Sequence, residues 1–315
     1  MSEWVIGADL GGTKIELGLV DPQNHIVARE RVATGEEEGP QAVVERIARC
    51  VTNLKTELPE GREVEALGIC SPGPLDHQSG TLIDPPNRPG LHQTPLRQML
   101  SQRLNMPVTL EHDAKAAAIG DFYYGAGRDV QSMIYIVVGT GVGAAIIMDG
   151  ELIRGTHNSA GEVGHITIDR NGDKCHCGTR GCVETFLSGP NLARRYQHAL
   201  ERENRSEGSG TITGELVAQR AEQGDAQAAE VMRGAGEALG IAIASMAMIF
   251  DIEQYVIGGS VAKSGDLLLE PARAIVPHYC FKSVGSRVRI DATELGDNGP
   301  ILGCAWLARQ ITGVR

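Results

Sequence analysis

Three cysteines and a histidine lie close together near the middle of the chain, and they constrain its fold more than any other feature. Cys175, Cys177 and Cys182 form a C-x-C-x4-C pattern, which His165 precedes by ten residues. Three glycines supply the turns that such a loop needs: Gly172, Gly178 and Gly181. Three thiolates and one imidazole complete a tetrahedral Zn2+ site, which leaves no open position for water. The spacing therefore predicts a structural zinc loop and not a metal that activates a nucleophile.

Two other interpretations of these cysteines are a disulfide-bonded loop and small apolar core residues. Cys175 and Cys177 are too close in sequence for an easy mutual disulfide. The remaining cysteines lie in apolar runs, as buried thiols usually do: Cys50, Cys70, Cys280 and Cys304. The histidine, the spacing and the glycines agree on zinc, with a different metal as the alternative.

Two carboxylates flank the zinc loop. Glu162 lies three residues before His165, and Glu184 lies two residues after Cys182. Because a rigid metal loop would fix both side chains, we predict a clamp for a hydroxylated ligand. The alternative is that both are surface acids or only support the true ligands.

Length and composition indicate a two-lobed protein without a membrane segment. A chain of 315 residues with 42% hydrophobic content can bury a large core, and its length favours two lobes over one. No run approaches the roughly 18 to 20 apolar residues of a transmembrane helix, and the first residues lack the features of a secretory signal. We therefore predict a cytoplasmic protein, whose reducing surroundings suit free thiols. The net charge of −11 argues against nucleic acid or an anionic membrane as a partner.

Apolar runs separated by glycine turns predict the same three-stranded meander twice. The strands of the first copy are predicted at Val5–Ala8, Ile15–Val20 and Ile26–Arg29. Those of the second copy are predicted at Met133–Val138, Ala144–Met148 and Glu151–Ile153. The turn after the first strand contains Gly11-Gly12 in one copy and Gly139 to Gly143 in the other. Two such copies suggest two related lobes that hold a polyphosphate between them through backbone N–H groups.

The rest of the chain shows helical spacing and further buried strands. Helices are predicted at Pro40–Thr56, Pro95–Leu104, Ala226–Phe250 and Gly299–Ile311, and from Ala114 onward. Further strands are predicted at Val64–Cys70, Val108–Glu111 and Gln254–Ile257. The turn Gly258 to Val261 is predicted to open a helix, whose N-terminus would bind an anion or a nucleotide. Arg202–Gly210, rich in Glu, Ser and Gly, is predicted to be a mobile connection.

One glycine pattern raises a different enzyme class. Gly139-x-Gly141-x-x-Ala144 formally matches the dinucleotide fingerprint of a dehydrogenase. That fingerprint needs a helix next, whereas Ala144–Met148 leads through Asp149-Gly150 into a third strand. The pattern therefore favours a hairpin, and the sequence contains no G-x-x-x-x-G-K-[ST] loop either.

Four segments together resemble the ROK family of sugar kinases and sugar-responsive repressors. They are Asp9-Leu-Gly-Gly-Thr-Lys14, Gly139-Thr-Gly-Val-Gly143, Gly161-Glu-Val-Gly-His165 and Cys175 to Glu184. The resemblance covers nearly the whole chain, and its zinc signature is highly specific. It implies an α/β, actin-like or hexokinase-type fold of two lobes, with ATP and a sugar in the cleft and usually a homodimer. We expect the lobes to be residues 1–118 with 300–315, and residues 119–299.

The resemblance implies a role for each matching residue. The positions of the two phosphate segments are Asp9, Gly11, Gly12, Thr13 and Lys14 in the first, and Gly139, Thr140, Gly141 and Gly143 in the second. The segment near the adenosine contains Gly258 and Gly259. The sugar-contacting positions are Asn87, Glu162, His165 and Glu184, with His165 also a zinc ligand. Asp113 matches the catalytic base, and Gly73 is a further candidate substrate contact.

The residue types suit these roles, although simpler interpretations exist. Phosphorylation of a hydroxyl needs a carboxylate at the attacking oxygen, Mg2+ on the phosphates and accurate positioning. Asp113 lies at a strand end before a helix, which is also typical of a helix N-cap. Asp9 beside the glycines suits Mg2+ or phosphate positioning, with a solvated turn residue as the alternative. For Lys14 the alternative to a phosphate contact is a surface salt bridge.

One position departs from the family's pattern. The family usually has Asn immediately before the catalytic Asp, where it bonds a sugar hydroxyl, and this chain has His112. A neutral imidazole nitrogen can donate or accept, but not both. We therefore expect an altered substrate preference.

The sequence as a whole predicts an ATP-dependent hexose kinase that acts on the 6-hydroxyl, with glucose as the first candidate. Alternative substrates are N-acetylmannosamine, N-acetylglucosamine, fructose and allose. The alternative from another class is a sugar-responsive repressor, but the first strand is reached at Trp4, which leaves no room before it for a DNA-binding helix-turn-helix. The implied cofactors are ATP, Mg2+ and structural Zn2+.

Overall fold

The chain forms two compact units in a computed structural model that describes residues 3–85, 89–205 and 210–313. Unit 1 contains Met1–Arg128 and Asp297–Arg315, and unit 2 contains Asp129–Gly296. The predicted sugar contact Asn87 lies outside the described residues, as do residues 206–209 of the predicted mobile connection.

The strands and helices alternate along the chain. The strands are β1 Trp4–Leu10, β2 Lys14–Val20, β3 Ile26–Ala33, β4 Val64–Ser71, β5 Leu75–Asp76, β6 Thr81–Leu82, β7 Val108–His112, β8 Met133–Val138, β9 Val142–Met148, β10 Glu151–Ile153, β11 Gln254–Gly258 and β12 Arg289–Ala292. The helices are α1 Pro40–Lys55, α2 Leu96–Leu104, α3 Asp113–Tyr124, α4 Glu184–Leu187, α5 Gly189–Arg202, α6 Gly214–Glu222, α7 Ala226–Phe250, α8 Asp266–Ile275, α9 Lys282–Gly285 and α10 Gly299–Ile311.

Each unit contains a five-stranded sheet of the same topology. The strand order is β3-β2-β1-β4-β7 in unit 1 and β10-β9-β8-β11-β12 in unit 2. In both sheets an antiparallel meander is extended by two parallel strands beside its first strand. The predicted repeat of the meander is therefore confirmed, and it extends to the fourth and fifth strands of each sheet.

Burial along the strands follows their place in the sheet. In unit 1 the central strands β1 and β4 are buried at most positions, as parallel strands covered on both faces must be. The edge strand β3 alternates between half-buried and exposed residues, so one of its faces meets solvent. In these three strands the burial pattern follows the apolar periodicity of the sequence.

Helix α10 packs directly on the sheet of unit 1 through glycines. A Cβ atom at Gly7 would lie 2.0 Å from the carbonyl oxygen of Ile301, and one at Gly68 would lie 1.9 Å from that of Cys304. On the other side of α10, a Cβ at Gly303 would lie 1.8 Å from the carbonyl oxygen of Ala116 in α3. The last helix is therefore an integral part of the core of unit 1.

Helix α7 runs through the core of unit 2. Its 25 residues are long and apolar enough to cross a membrane by length and composition, but 56% of that apolar window is buried inside the structure. Met232, Leu239 and Ile243 of α7 belong to the same buried cluster as Tyr255 and Leu268. The helix is therefore a core helix of unit 2.

Several predicted elements differ from the structure. The helix predicted to start at the Gly258–Val261 turn is wrong, because only the short 3-10 segment Val261–Ser264 follows, which ends at Gly265 with φ +57°. Helix α8 begins beyond that glycine. The sequence analysis did not predict α4, α5, α6, α9, β5, β6 or β12. The expected lobe boundary after residue 118 falls inside α3.

We predict opposite effects for two helical glycine substitutions. Gly303→Ala places a Cβ atom into the backbone of α3, and such overpacking costs about 1–3 kcal/mol. Gly234→Ala in α7 meets nothing within 4 Å, so the better helix propensity of alanine should add about 0.5–1 kcal/mol. Thermal unfolding of the two variants measures both. An unchanged melting temperature for Gly303→Ala would contradict the packing argument.

Candidate active site and zinc loop

The segment Gly161–His165 lies directly against strand β9. The Ala144 N–H donates to the Gly161 carbonyl oxygen at 2.7 Å. Gly161 has φ +102°, and a Cβ atom there would lie 2.0 Å from the Ala144 carbonyl oxygen; one at Gly164 would lie 2.2 Å from that of Val142. Both positions therefore require glycine, and these contacts fix the backbone on either side of Glu162 and just before His165.

The predicted zinc ligands come together at one place. His165, Cys175, Cys177 and Cys182 each offer a ligand atom within 4.8 Å of the others. Cys177 Sγ lies 3.7 Å from Cys182 Sγ, and Cys175 Sγ lies 3.7 Å from His165 Nδ1. A tetrahedral ion about 2.3 Å from sulfur and 2.0–2.1 Å from nitrogen separates its ligands by roughly 3.5–3.8 Å. The donor set therefore fits Zn2+, whose presence stays a prediction.

The thiols of the zinc loop differ in acidity. Hydrogen bonds from Thr179 lower the pKa of Cys177 to about 6, whereas burial raises the pKa of Cys175 to about 12. Zinc binds thiolates, so it must displace the Cys175 proton on binding. The loop is shaped by Gly178 and Gly181, which have φ values of +97° and +62°.

Glu184 joins the zinc loop to the glycine turn between β8 and β9. The side chain is only 6% exposed, and its Oε2 accepts the Val142 N–H at 2.9 Å. A Cβ atom at Gly141 would lie 2.9 Å from the same oxygen, so the turn needs glycine there. Oε1 lies 3.1 Å from His176 Nδ1. One of the two oxygens of this predicted sugar contact is therefore engaged by the backbone.

The other predicted acid of the clamp is free. Glu162 is exposed, and within the described part of the chain its carboxylate has no hydrogen-bond or ion-pair partner. An exposed carboxylate on a fixed backbone suits a hydroxylated ligand, because it can accept hydrogen bonds from two hydroxyl groups.

A cavity of about 730 Å3 in unit 2 lies beside the predicted second phosphate segment and the predicted adenosine segment. The Gly139 carbonyl oxygen accepts the Gly189 N–H at 2.8 Å, and a Cβ at Gly259 would lie 2.3 Å from the Val138 carbonyl oxygen. The cavity is thus lined by the β8–β9 turn, the start of α5 and the residues after β11. It has the size of a nucleotide site.

Several residues of this cavity escaped the sequence analysis. They are Gly189, Pro190, Thr213, Glu215, Gln219 and Lys263. Ser188-Gly189-Pro190 is a typical helix start, and it places the N-terminus of the 14-residue α5 at the cavity. This three-residue segment was the sequence signal from which the site could have been predicted. Thr213 caps the start of α6 by accepting the Leu216 N–H at 3.1 Å, and a threonine before a helix is a weaker signal of the same kind.

In unit 1 the predicted first phosphate segment forms the tight turn between β1 and β2. The Gly11 carbonyl oxygen accepts the Thr34 hydroxyl at 2.8 Å, and Gly12 and Thr13 are exposed at its tip. Lys14 Nζ lies 2.7 Å from Glu16 Oε2. The surface salt bridge weighed for Lys14 is therefore present in the structure.

Asp9 and Asp113 interact electrostatically at the carboxyl end of the same sheet. Burial, and secondly the negative charge of Asp113, raise the pKa of Asp9 from its ordinary 3.8 to about 6. The Cys70 thiol donates a hydrogen bond of 3.6 Å to Asp9 Oδ1. Two acids that repel each other in this way form a place where a cation is favoured.

Asp113 has one engaged oxygen and one free oxygen. Its Oδ1 accepts the Ala114 N–H at 2.6 Å and lies 3.0 Å from His112 Nδ1. Within the described residues Oδ2 has no partner. The residue before the helix is His112, so Asp113 is not an ordinary N-cap. A Cβ atom at Gly73 would lie 2.9 Å from His112 Cδ2. Gly73, a predicted substrate contact, therefore lies beside His112 and Asp113.

Comparisons with known proteins identify the family of the chain. The sequence profile of the ROK family matches residues 5–311. The chain belongs to the ROK family. It is 35% identical to a glucokinase of Streptomyces coelicolor over 97% of each chain. A ROK family glucokinase of Streptomyces griseus, solved with glucose and AMPPNP, has a TM-score of 0.79 and 33% identity over 98% of this chain and 99% of that one.

The ROK family also contains regulators. The chain is 33% identical to a putative xylose repressor of a Caldicellulosiruptor species, over 95% of this chain and 76% of that protein. Family membership confirms the resemblance seen in the sequence and the hexokinase-type α/β fold. The individual site residues and the zinc remain predictions.

We predict that Cys177→Ser empties the zinc loop of this ROK protein. Loss of one of four ligands should remove the metal and lower the melting temperature, because a structural zinc site contributes folding free energy. Elemental analysis and thermal unfolding measure both effects. Cys280→Ser, whose thiol lies outside the cluster, is the matched control. A Cys177→Ser protein with full zinc content would contradict the assignment.

We also predict that Asp9→Asn stabilises the protein at neutral pH. Because the folded-state pKa of Asp9 is raised above 3.8, its contribution to stability is greatest below pH 3.8 and is lost as the pH rises through about 6. The free energy of unfolding of the variant should therefore exceed that of the wild type at pH 8 by at most about 3 kcal/mol, with a higher melting temperature, and the two proteins should not differ below pH 4. Melting curves across this range test the sign. Equal stabilities at every pH would contradict it.

Proposed function

We propose that this ROK-family sugar kinase transfers the γ-phosphate of ATP to the 6-hydroxyl of a hexose, and that glucose is the substrate. The observation that carries the proposal is Asp113, a carboxylate at the carboxyl end of a sheet with one oxygen fixed and the other free. Similarity to glucokinases over 97% of the chain supports the choice of glucose.

Asp113 would act as the general base. With Oδ1 held by the Ala114 N–H and by His112, Oδ2 is the oxygen that accepts the proton of the attacking hydroxyl. Such assistance contributes about 10^2–10^4-fold to rate. The remaining barrier is lowered by positioning and charge neutralisation, since phosphoryl transfer needs little covalent work from the protein.

His112 would influence the choice of sugar through its second nitrogen. Nδ1 faces Asp113, and Nε2 lies toward the Gly73 loop. An imidazole in place of the family's usual amide has a different reach, so we expect a changed preference between hexose epimers. His112→Asn is the variant that restores the family's residue.

The nucleotide and the sugar would be bound by different parts of unit 2. The cavity beside Gly139, Thr140, Gly189 and Ser260 would take the nucleotide, with the N-terminus of α5 favouring its phosphates. Glu162 and His165 would contact sugar hydroxyls, and Glu184 would do so through Oε1. A zinc ion in the loop would hold His165 and Glu184 in place.

The acids of unit 1 suit Mg2+. Asp9 offers hard oxygen donors, and its repulsion by Asp113 would be relieved by a divalent cation. An Mg2+ ion held by Asp9 would neutralise negative charge on the transferred phosphoryl group. We further expect a cytoplasmic homodimer, whose mass light scattering would measure.

An assay of ADP release with a panel of hexoses tests the proposal. The panel contains glucose, mannose, fructose, allose, N-acetylglucosamine and N-acetylmannosamine. The highest kcat/KM with glucose supports the proposal, and a higher value for another member reassigns the substrate. Sugar binding without turnover of any member would favour the regulator class.

We predict that Asp113→Asn lowers kcat by about 10^2-fold or more while the affinity for glucose is kept. The amide keeps the shape of the side chain but cannot accept the proton. Steady-state kinetics and calorimetric glucose binding measure the two effects. Glu65→Gln, an exposed position on β4, is the control. Near-normal kcat would show that Asp113 has only a structural role.

A further inference from the structure

His176 carries an imidazole that the predicted Cys3His site does not use. It lies between Cys175 and Cys177, and its side chain is 74% exposed. Its Nδ1 lies 3.1 Å from Glu184 Oε1, and its ring stands edge-on to His165 with a centroid distance of 5.3 Å. His165, His176 and Glu184 each offer a ligand atom within 4.8 Å of the others.

Two imidazoles and a carboxylate are a common donor set for zinc-type ions with an open position. Around a tetrahedral ion, ligands about 2.0–2.2 Å from the metal lie roughly 3.3–3.6 Å apart. The 3.1 Å separation of His176 Nδ1 and Glu184 Oε1 is slightly shorter, so a small outward shift of the exposed His176 ring would let both atoms bind one ion. The third donor, a ring nitrogen of His165, lies within 4.8 Å of both.

The carboxylate of Glu184 is already oriented by a backbone hydrogen bond, without any metal ion. Glu184 is buried, and its Oε2 accepts the Val142 N–H, which leaves Oε1 as the oxygen toward His176. Such hydrogen bonds orient metal-binding carboxylates and raise affinity. Since His176 is flanked by two predicted zinc ligands, a filled zinc loop would also fix its backbone.

We propose that His176, Glu184 and His165 form a second site for a divalent transition-metal ion such as Zn2+, and that its occupancy blocks the sugar. His165 Nδ1 lies 3.7 Å from Cys175 Sγ, so zinc in the loop would take Nδ1, and the second ion would have to bind Nε2, whose proton would be released to solvent. The inhibitory part rests on the proposed function, in which His165 and Glu184 contact the sugar. The metal-binding part does not.

The simplest competing explanation is a surface pair between His176 and Glu184. His25 offers a matched case in unit 1, since its Nδ1 lies 3.1 Å from Asp21 Oδ2 and its side chain is 75% exposed. Among the described residues, no second imidazole offers a metal ligand atom beside that pair. His25→Ala is therefore the control for His176→Ala.

The test titrates Co2+ into protein that already holds one zinc ion per chain. Equilibrium dialysis measures how many additional ions each chain binds. The absorption spectrum shows whether thiolates bind the Co2+, because cobalt thiolates give an intense sulfur-to-cobalt band. We expect one further Co2+ per chain without that band. His176→Ala should weaken it by at least about tenfold, since even loss of an outer-shell partner costs that much, and His25→Ala should not.

Kinetics with glucose then test the inhibitory role. Inhibition by Co2+ or Zn2+ should be competitive with the sugar and about tenfold weaker in His176→Ala. No further ion, a thiolate band, or equal binding by His176→Ala would overturn the metal site. Full activity with the second ion bound would overturn the inhibition. A protein that binds the ion through His176 but phosphorylates no hexose would refute only the proposed function.

Discussion

Direct backbone contact at glycine is the constraint on which the positions of the functional residues depend. In unit 1, Gly68 and Gly303 let α10 approach β4 and α3 more closely than any side chain would allow. In unit 2, Gly161 and Gly164 bring the segment of Glu162 and His165 against β9, and Gly259 brings the residues after β11 against β8. Interiors of this kind transmit small displacements, because no side chain is present to adapt. The positions of the functional side chains therefore depend on main-chain geometry.

Hydrophobic periodicity predicted many of the strands and helices, and the elements that it missed have physical explanations. The meander strands and the helices α7 and α10 were predicted closely because their apolar patterns are long. The strand β12 has one buried residue among four, so no alternation marks it. The four-residue segment Val261–Ser264 looked like a helix start because a glycine turn precedes it, but Gly265 ends it at once. Short elements owe their structure to tertiary contacts that periodicity does not report.

Motif spacing predicted the site residues that lie close together in sequence. It missed the residues that are distant in sequence and that only the fold brings together. The ligands of the zinc loop were found because four of the relevant residues lie within one segment. The hydrogen bond from the Val142 N–H to Glu184 joins residues that are 42 positions apart, and no local sequence pattern predicts it. The same is true of Gln219 in the cavity beside Gly139. His112 was recognised as a departure, but only the structure shows its nitrogen at Asp113.

The order of the two units along the chain has a consequence for synthesis. Unit 2 is continuous from Asp129 to Gly296, whereas unit 1 is completed only by the segment that begins at Asp297. A ribosome releases residues in order, so unit 2 is able to fold while the sheet of unit 1 still lacks the helix that covers β1 and β4. During that interval the buried face around Gly7 and Gly68 is open to water and to other chains. Association of the nascent chain with other proteins is therefore expected at unit 1 and not at unit 2.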